Sequence, residues 1–383
     1  MSLARIVQLT LIIITCSSSI LPAQDQTQIS PKYVKIQNKL DKAVRDGLIG
    51  VSCYIKHPKF GPWMGFSGYS DISNKTPLAE DNIFYLASIS KTYMATATLI
   101  CEQNGLLNLE DSISMYLPFE IIENVPNAKL LTIRHLLNMT SGIPNYDKNP
   151  DLNKTYLNHE ISLDTISHLE ILREYIFEED PYFYPGSDYN YSSTNYMLLA
   201  RIIDSVTNSS HAEIFSQMFN DFGLEKTYYK NEIPSNGKLV MAYGDLDSNG
   251  ELEDISEMQH ETTNWFIGDD GVMASITDCA KFMEELIKGK ILNEKNTNEM
   301  LTWVMPVDPD YGLGLMYDKS FPYNEAIGHS GVAIGATSDV YYFPKQDITV
   351  AILSNTGKRD GDVKYRKAYN KLRRKIVFKL FIL

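Results

Sequence analysis

Ser88-Ile89-Ser90-Lys91-Thr92-Tyr93-Met94-Ala95-Thr96-Ala97-Thr98-Leu99-Ile100-Cys101 holds a single charge, Lys91, which is also the only charge between Asp81 and Glu102. Ala95, Ala97, Leu99 and Ile100 suit a helix buried nearly all round, and Asn104-Gly105 supplies its stop. A lysine inside such a helix is costly unless it has a task. The i, i+3 spacing sets Ser88 and Lys91 on one helical face, within hydrogen-bonding reach. A serine hydroxyl is a weak nucleophile and needs a base. Lysine can be that base if burial and neighbouring positive charge keep its amine neutral. The N–H groups at the helix start suit a developing oxyanion. The plainer alternative is that Ser88 only caps the helix and Lys91 is solvated, since S-x-x-K by itself is common by chance.

On either side of this helix the pattern changes. Residues 31–48 carry Val34, Ile36, Leu40, Val44 and Leu48 at helical spacing, and 51–55 with 63–69 read as a hairpin around Pro58 and Gly61. From about 111 to 259 the clearest elements are helical, at 133–139, 163–175, 194–206 and 211–220. Beyond them, 277–288 is an amphipathic helix, 311–316, 333–342 and 348–353 are strand-like, and a basic helix follows from about Asp362. Strands therefore lie at both ends of the chain. The economical architecture is one α/β domain built from about 31–112 and 265–383, with an all-helical insertion at about 113–264. A cleft between the two lobes is the expected ligand site.

Bulk properties narrow the function. The 383 residues are 44% hydrophobic and 22% charged, as in ordinary globular chains. A net charge of −13 argues against nucleic acid as a partner. Arg5, the short apolar run 9–14 and small residues up to Ala23 read as an export signal over 1–23, too short to span a bilayer. Periplasmic or extracellular location follows, with no transmembrane segment in the mature chain. Ile13-Ile14-Thr15-Cys16 offers lipid anchoring through Cys16 as an alternative. Cys53, Cys101 and Cys279 show neither C-x-x-C spacing nor histidine pairs, so they are expected as core residues rather than metal ligands.

Two more motifs join Ser88 and Lys91. Tyr191-Ser192-Ser193 follows the turn Tyr184-Pro185-Gly186, and a tyrosine presented there can carry protons to and from the nucleophile. His329-Ser330-Gly331 precedes a strand-like segment that contains Gly335. Gly331 would let a substrate backbone approach the strand edge. The Val332 N–H would pair with that of Ser88 as an oxyanion hole, and His329 would donate a hydrogen bond or, protonated, meet a carboxylate. Each motif alone has a plain structural explanation; 24 tyrosines make a packing role for Tyr191 easy to credit.

Together, in this order, the three motifs resemble the penicillin-recognising serine hydrolases, in the branch of class C β-lactamases, DD-carboxypeptidases, D-aminopeptidases and related esterases. Leu131-Thr132-Ile133-Arg134-His135-Leu136-Leu137-Asn138-Met139-Thr140-Ser141-Gly142-Ile143-Pro144 is similar to that branch's TIRHLLxHTSGLP segment. Gly271-Val272-Met273-Ala274-Ser275, with Asp278 and Phe282, resembles its GGLxST…D…F stretch, and Ser354-Asn355 its LSN strand end. The resemblance runs from about Lys35 to Gly357. It implies an α/β fold (α+β) with an antiparallel sheet flanked by helices. It implies Ser88 as acyl acceptor, Lys91 and Tyr191 as acid/base partners, and Ser193, His329, Ser330 and Gly331 against the substrate, with no cofactor or metal.

Ser193 stands where the branch carries the Asn of Y-x-N, and His329 where class C β-lactamases carry the Lys of K-T-G. Both departures argue for a carboxypeptidase-like enzyme or a related amidase or esterase, acting on small peptides, amides or esters such as peptidoglycan stem peptides. A β-lactamase and a non-catalytic binding homologue are the alternatives. Asp245-Leu246-Asp247-Ser248-Asn249-Gly250 begins like a calcium loop but lacks the closing Glu, with Ser256 in its place, so a hairpin turn is expected. His135 is expected as a satisfied core histidine, and the basic tail as a helix packing Val377 and Leu380 on the sheet with its charges in water.

Overall fold

The computed structural model describes residues 30–152, 167–230, 232, 238–247, 249–304, 309–320, 325–357 and 363–381. The expected export signal and Cys16 lie outside them.

An eight-stranded antiparallel sheet organises the molecule. Its strands are β1 (Gly50–His57), β2 (Gly61–Asp71), β3 (Thr76–Pro77), β9 (Asp310–Tyr311), β10 (Met316–Asp318), β11 (Ala326–Val332), β12 (Thr337–Phe343) and β13 (Ile348–Ser354), in the order β3-β2-β1-β13-β12-β11-β10-β9. The first and last long strands meet at its centre, with Cys53 opposite Ile352. The period-2 alternation of these strands splits them between two cores. Val51, Cys53, Ile55, Tyr341, Phe343, Val350 and Ile352 face α1 (Pro31–Arg45) and the C-terminal helix α11 (Val363–Phe381). Ser30 caps α1 and Pro31 fits its first turn, where no N–H is missed.

Val340, Tyr342, Ala351 and Leu353 face the other way, into a core shared with α2 (Ser90–Gln103) and α9 (Ile276–Ile287). The same core continues through α3 (Phe119–Asn124), α4 (Ile133–Leu137), α5 (His168–Tyr175), α6 (Ser193–Thr207) and α7 (His211–Asp221). The helices α8 (Ser256–Trp265) and α10 (Glu294–Met300) complete the set. As expected, α2 is buried nearly all round. Its threonines tolerate this because Thr96 and Thr98 donate to the carbonyls of Thr92 and Met94 (2.8 and 2.9 Å), and Thr92 donates to Gly314 O (2.8 Å). Cys53, Cys101 and Cys279 are free and buried.

Several local expectations need correction. The stretch 113–264 is not purely helical. It contributes β5 (Thr227–Tyr229), which pairs with β8 (Val272–Ser275) beside β4 (Ile83–Tyr85), and the hairpin of β6 (Tyr243–Gly244) with β7 (Glu253–Asp254). Between its strands Gly250 N donates to the Asp245 carboxylate (2.9 Å). The segment 311–316 is a reversal rather than one strand: Gly312 N donates to Leu315 O (2.8 Å), and Gly314, at φ +75°, lies against Ala95 of α2. His329 to Gly331 lie inside β11, and Gly335 belongs to the turn before β12, not to a strand. In the C-terminal helix Val377 and Leu380 are buried as expected, but Arg373 is not in water. It pairs with Asp318 (2.9 Å) and Asp339 (3.4 Å) and covers the Tyr341 ring. His135 is half-buried, its Nδ1 accepting from Thr132 N (3.1 Å) as part of the α4 cap. No helix among the described residues is long and apolar enough to cross a membrane.

Candidate active site

Strand β4 runs into a 3-10 turn, Ala87–Ile89, and then into α2. Ala87 has φ +50°, a left-handed conformation that costs a residue with a Cβ about 1–2 kcal/mol. The surroundings enforce it. Leu86 N donates to Val272 O (3.0 Å), and Ser338 Oγ donates to Leu86 O (2.7 Å). Gly331 completes the clamp, because a Cβ there would come within 2.3 Å of both Leu86 O and Ser338 Oγ. The space beside Gly331 is thus taken by the turn that carries Ser88, rather than left for a substrate backbone as the sequence suggested.

Ser88 is partly exposed, and no side-chain capping bond is made at this helix start, so its hydroxyl is not an N-cap. It accepts instead from Lys91 Nζ at 3.1 Å. The second serine of the motif, Ser90, is buried and accepts from Val272 N (3.0 Å), which ties α2 to β8.

Lys91 has no exposed surface. Its Nζ donates to Asp269 O (3.0 Å), lies 3.7 Å from Asp269 Oδ2, and sits 5.1 Å from the centroid of the Tyr191 ring. Burial pulls its pKa down, but Tyr191, Asp269 and Asp270 outweigh burial and hold it above the ordinary lysine value. This corrects the sequence expectation: the neighbours are acidic, not positive, and they favour the charged form of the amine. The Tyr191 hydroxyl is closed off from solvent and faces Lys91 and Ser88. Burial raises its pKa, and the Lys91 charge and Ser88 pull the other way. Tyr191 and Lys91 therefore behave as one pair in which each charge depends on the other.

His329 is brought close but not presented. It is wholly buried behind Tyr191, at 6.3 Å between ring centroids. Its Nδ1 donates to Ser330 O (2.6 Å), which leaves Nε2 to accept from the Tyr311 hydroxyl (3.1 Å). Burial, with the Lys91 charge, lowers its pKa to about 3. It is a neutral strut, so the cationic contact to a carboxylate expected of it is withdrawn. Ser330 is partly exposed toward the cleft and is bonded to Asp339 and to the Tyr341 hydroxyl (2.8 Å). Ser193 begins α6, and its N–H donates to Asn145 Oδ1 (3.0 Å).

A cleft of about 600 Å³ joins Ser88, Tyr191, Ser193, Ser330 and Val332. It is the expected constellation less Lys91, His329 and Gly331, which stand behind its wall. Two residues that sequence reasoning missed also line it, Asp269 and Asp270. Both are buried on the loop before β8. Gly268, at φ +77°, lies so close to Tyr196 O that a Cβ would approach within 2.3 Å, and Gly271, at φ +108°, presses on the Tyr229 ring. The signal was legible as Gly268-Asp269-Asp270-Gly271, two acids between glycines, immediately before the stretch used for the resemblance. Asp269 Oδ1 accepts from the Tyr146 hydroxyl (2.8 Å). Burial, then Asp269, raises Asp270 to about 7. Among the described residues no group of three or more His, Cys, Asp or Glu is arranged to hold a metal ion.

Comparison with known proteins identifies the family. The family described as Beta-lactamase matches residues 42–375. The chain is 29% identical over 327 residues to Penicillin-binding protein 4* of Bacillus subtilis (strain 168), covering 81% of this chain and 68% of that protein. It is 25% identical over 345 residues to a Teichoic acid D-alanine hydrolase of Staphylococcus aureus, covering 89% and 77%. The crystal structure of a D-stereospecific amidohydrolase from Streptomyces sp. aligns with a TM-score of 0.75 at 26% identity, over 87% of this chain and 98% of that one. With the family match spanning nearly all of the described residues, and an antiparallel sheet flanked by helices beneath it, the chain belongs to the Beta-lactamase family and is a serine hydrolase of that fold.

Proposed function

We propose that the chain hydrolyses small amides or esters of D-configured residues through an acyl-enzyme on Ser88. The observation that carries this reading is the 3.1 Å contact between Ser88 Oγ and a lysine with no exposed surface. A buried lysine donating to a serine on a strained turn has no simpler account in packing.

In this reading the Lys91–Tyr191 pair becomes the base when it has lost one proton. Ser88 Oγ attacks the substrate carbonyl carbon as its proton passes to the pair. The oxyanion is received by the N–H groups of Ser88 and Val332. The bond to the leaving amine or alcohol then breaks, and the leaving group takes the proton. Water repeats the sequence on the ester and frees Ser88.

The amidase or esterase reading is favoured over a carboxypeptidase or a β-lactamase by the state of His329. Those two substrates present a carboxylate, whereas the residue at the position expected to meet it is neutral and buried. The similarity to the D-alanine hydrolase and the D-stereospecific amidohydrolase supports the same direction. Work outside the cytoplasm is proposed on the amino-terminal signal alone.

Intact-mass analysis after incubation with a fluorophosphonate tests the nucleophile. One adduct is expected on the native chain and none on Ser88→Ala. Release of p-nitroaniline from D-alanine p-nitroanilide is expected to exceed that from the L-form. Folded protein without an adduct would overturn the proposal.

A further inference from the structure

The wall of the cleft holds a carboxylate that accepts a single hydrogen bond from the described residues. Asp270 is 9% exposed, and what is exposed lines the cleft. Its Oδ1 accepts from Gly271 N (2.7 Å), and its Oδ2 has no partner among the described residues. Asp269 differs, since its oxygens are engaged by the Tyr146 hydroxyl and by Lys91. The charged groups that act on Asp270 are Asp269, Asp147 and Lys91, and Lys91 is already committed to Ser88 and to Asp269. A buried carboxylate left in this state is unfavourable, and the partner that relieves it is a cation.

The position of that cation follows from the geometry. Lys91 Nζ lies 3.1 Å from Ser88 Oγ and 3.0 Å from Asp269 O, so no more than about 6 Å separates the nucleophile from the backbone next to Asp270. Ser88 and Asp270 also line the same cleft, so one acyl donor can present its carbonyl to Ser88 and a cation to Asp270. We propose that Asp270 receives the free α-ammonium of the acyl donor, which makes the substrates of this site α-aminoacyl amides and esters with an unblocked amine. The inference rests on the acyl-enzyme reading above and names its substrate class. The raised pKa of Asp270 fits: its carboxyl resists ionisation while the site is empty, and an incoming ammonium removes that resistance.

The test compares D-alanine p-nitroanilide with its N-acetyl form on native protein and on Asp270→Asn, each first shown to label at Ser88 with a fluorophosphonate. The native enzyme is expected to favour the free amine by roughly 100-fold in kcat/KM, and Asp270→Asn to lose most of that ratio through KM. On native protein alone, D-alaninamide is expected to slow fluorophosphonate labelling of Ser88, and N-acetyl-D-alaninamide not to. Equal turnover or equal protection by the acetylated compounds, on protein that labels, overturns the assignment of Asp270 and leaves the acyl-enzyme reading standing. Native protein that never labels overturns both.

Discussion

Lys91, which has no exposed surface, and Asp269, at the wall of the cleft, face one another across 3.7 Å, and the same lysine donates to the Asp269 carbonyl at 3.0 Å. Asp269 therefore favours the charged form of the group that stands beside the nucleophile. Its effect on Lys91 is to raise the pKa, so removing its charge lowers that pKa. In Asp269→Asn the basic form of the Lys91–Tyr191 pair is expected at lower pH than in the native chain. The rate of fluorophosphonate labelling against pH should show its rising limb displaced toward acid. An unmoved limb would mean that Asp269 has no part in setting the base.

Replacing Lys91 by Met should slow labelling of Ser88 by roughly 10²–10⁴-fold. It should also destabilise the fold by about 3–5 kcal/mol at pH 8, because Asp269 is left buried without its cation. The double substitution Lys91→Met with Asp269→Asn should restore most of the stability and none of the labelling. Denaturant titration and labelling of all three variants separate the two roles. Activity in the double variant would refute Lys91 as the proton carrier.

His329 makes an opposite, acid-side prediction. Its folded pKa is lowered from 6.5 to about 3, so the unfolded chain takes up a proton that the folded one refuses. The stability this confers is complete above about pH 6.5 and is lost as pH falls toward 3. The imidazole resonances should hold still from pH 8 to pH 4, and thermal unfolding should move to lower temperature over the same interval. A titration midpoint near 6.5 in the folded protein would show that His329 is not enclosed as described.

Gly331→Ala tests the clamp on the nucleophile's turn. A methyl group at that position meets Leu86 O, which cannot yield without moving the turn, and Ser338 Oγ, which yields only by giving up its bond to Leu86 O. A loss of about 1–3 kcal/mol is expected. Labelling of Ser88 should fall further than stability does, since the strained conformation at Ala87 depends on those contacts. An alanine variant that labels at the native rate would separate Gly331 from the geometry of Ser88.

Much of this was legible in the chain, for identifiable reasons. Ser88 and Lys91 sit three residues apart, on the 3-10 turn and the start of α2, so local periodicity placed them together. The period-2 alternation of β1, β12 and β13 followed from residue type. Other features depend on partners far away in sequence. Asp269 meets Lys91 across 178 positions, and nothing near either residue announces the pairing. The neutrality of His329 depends on Tyr311 closing over it, and that closure depends on the reversal at Gly312 to Leu315, which reads as a strand because Tyr311, Leu313 and Leu315 alternate with small residues. Arg373 looked like one more surface cation of a basic helix, and only the docking of that helix brings it to Asp318 and Asp339.

The adjacency of β1 and β13 bears on how the molecule is made. Ser354 Oγ donates to Gly50 O across 304 positions of sequence, at the centre of the sheet rather than at its edge. Closing so large a loop is slow and brings no reward until both ends are present. A chain emerging from the ribosome can form its helical middle early, yet β1 and β2 must wait for the last strand with one edge unpaired. Ser88 thus acquires its full surroundings only once β12 and β13 have joined β1, because Ser338 of β12 holds the turn that carries it.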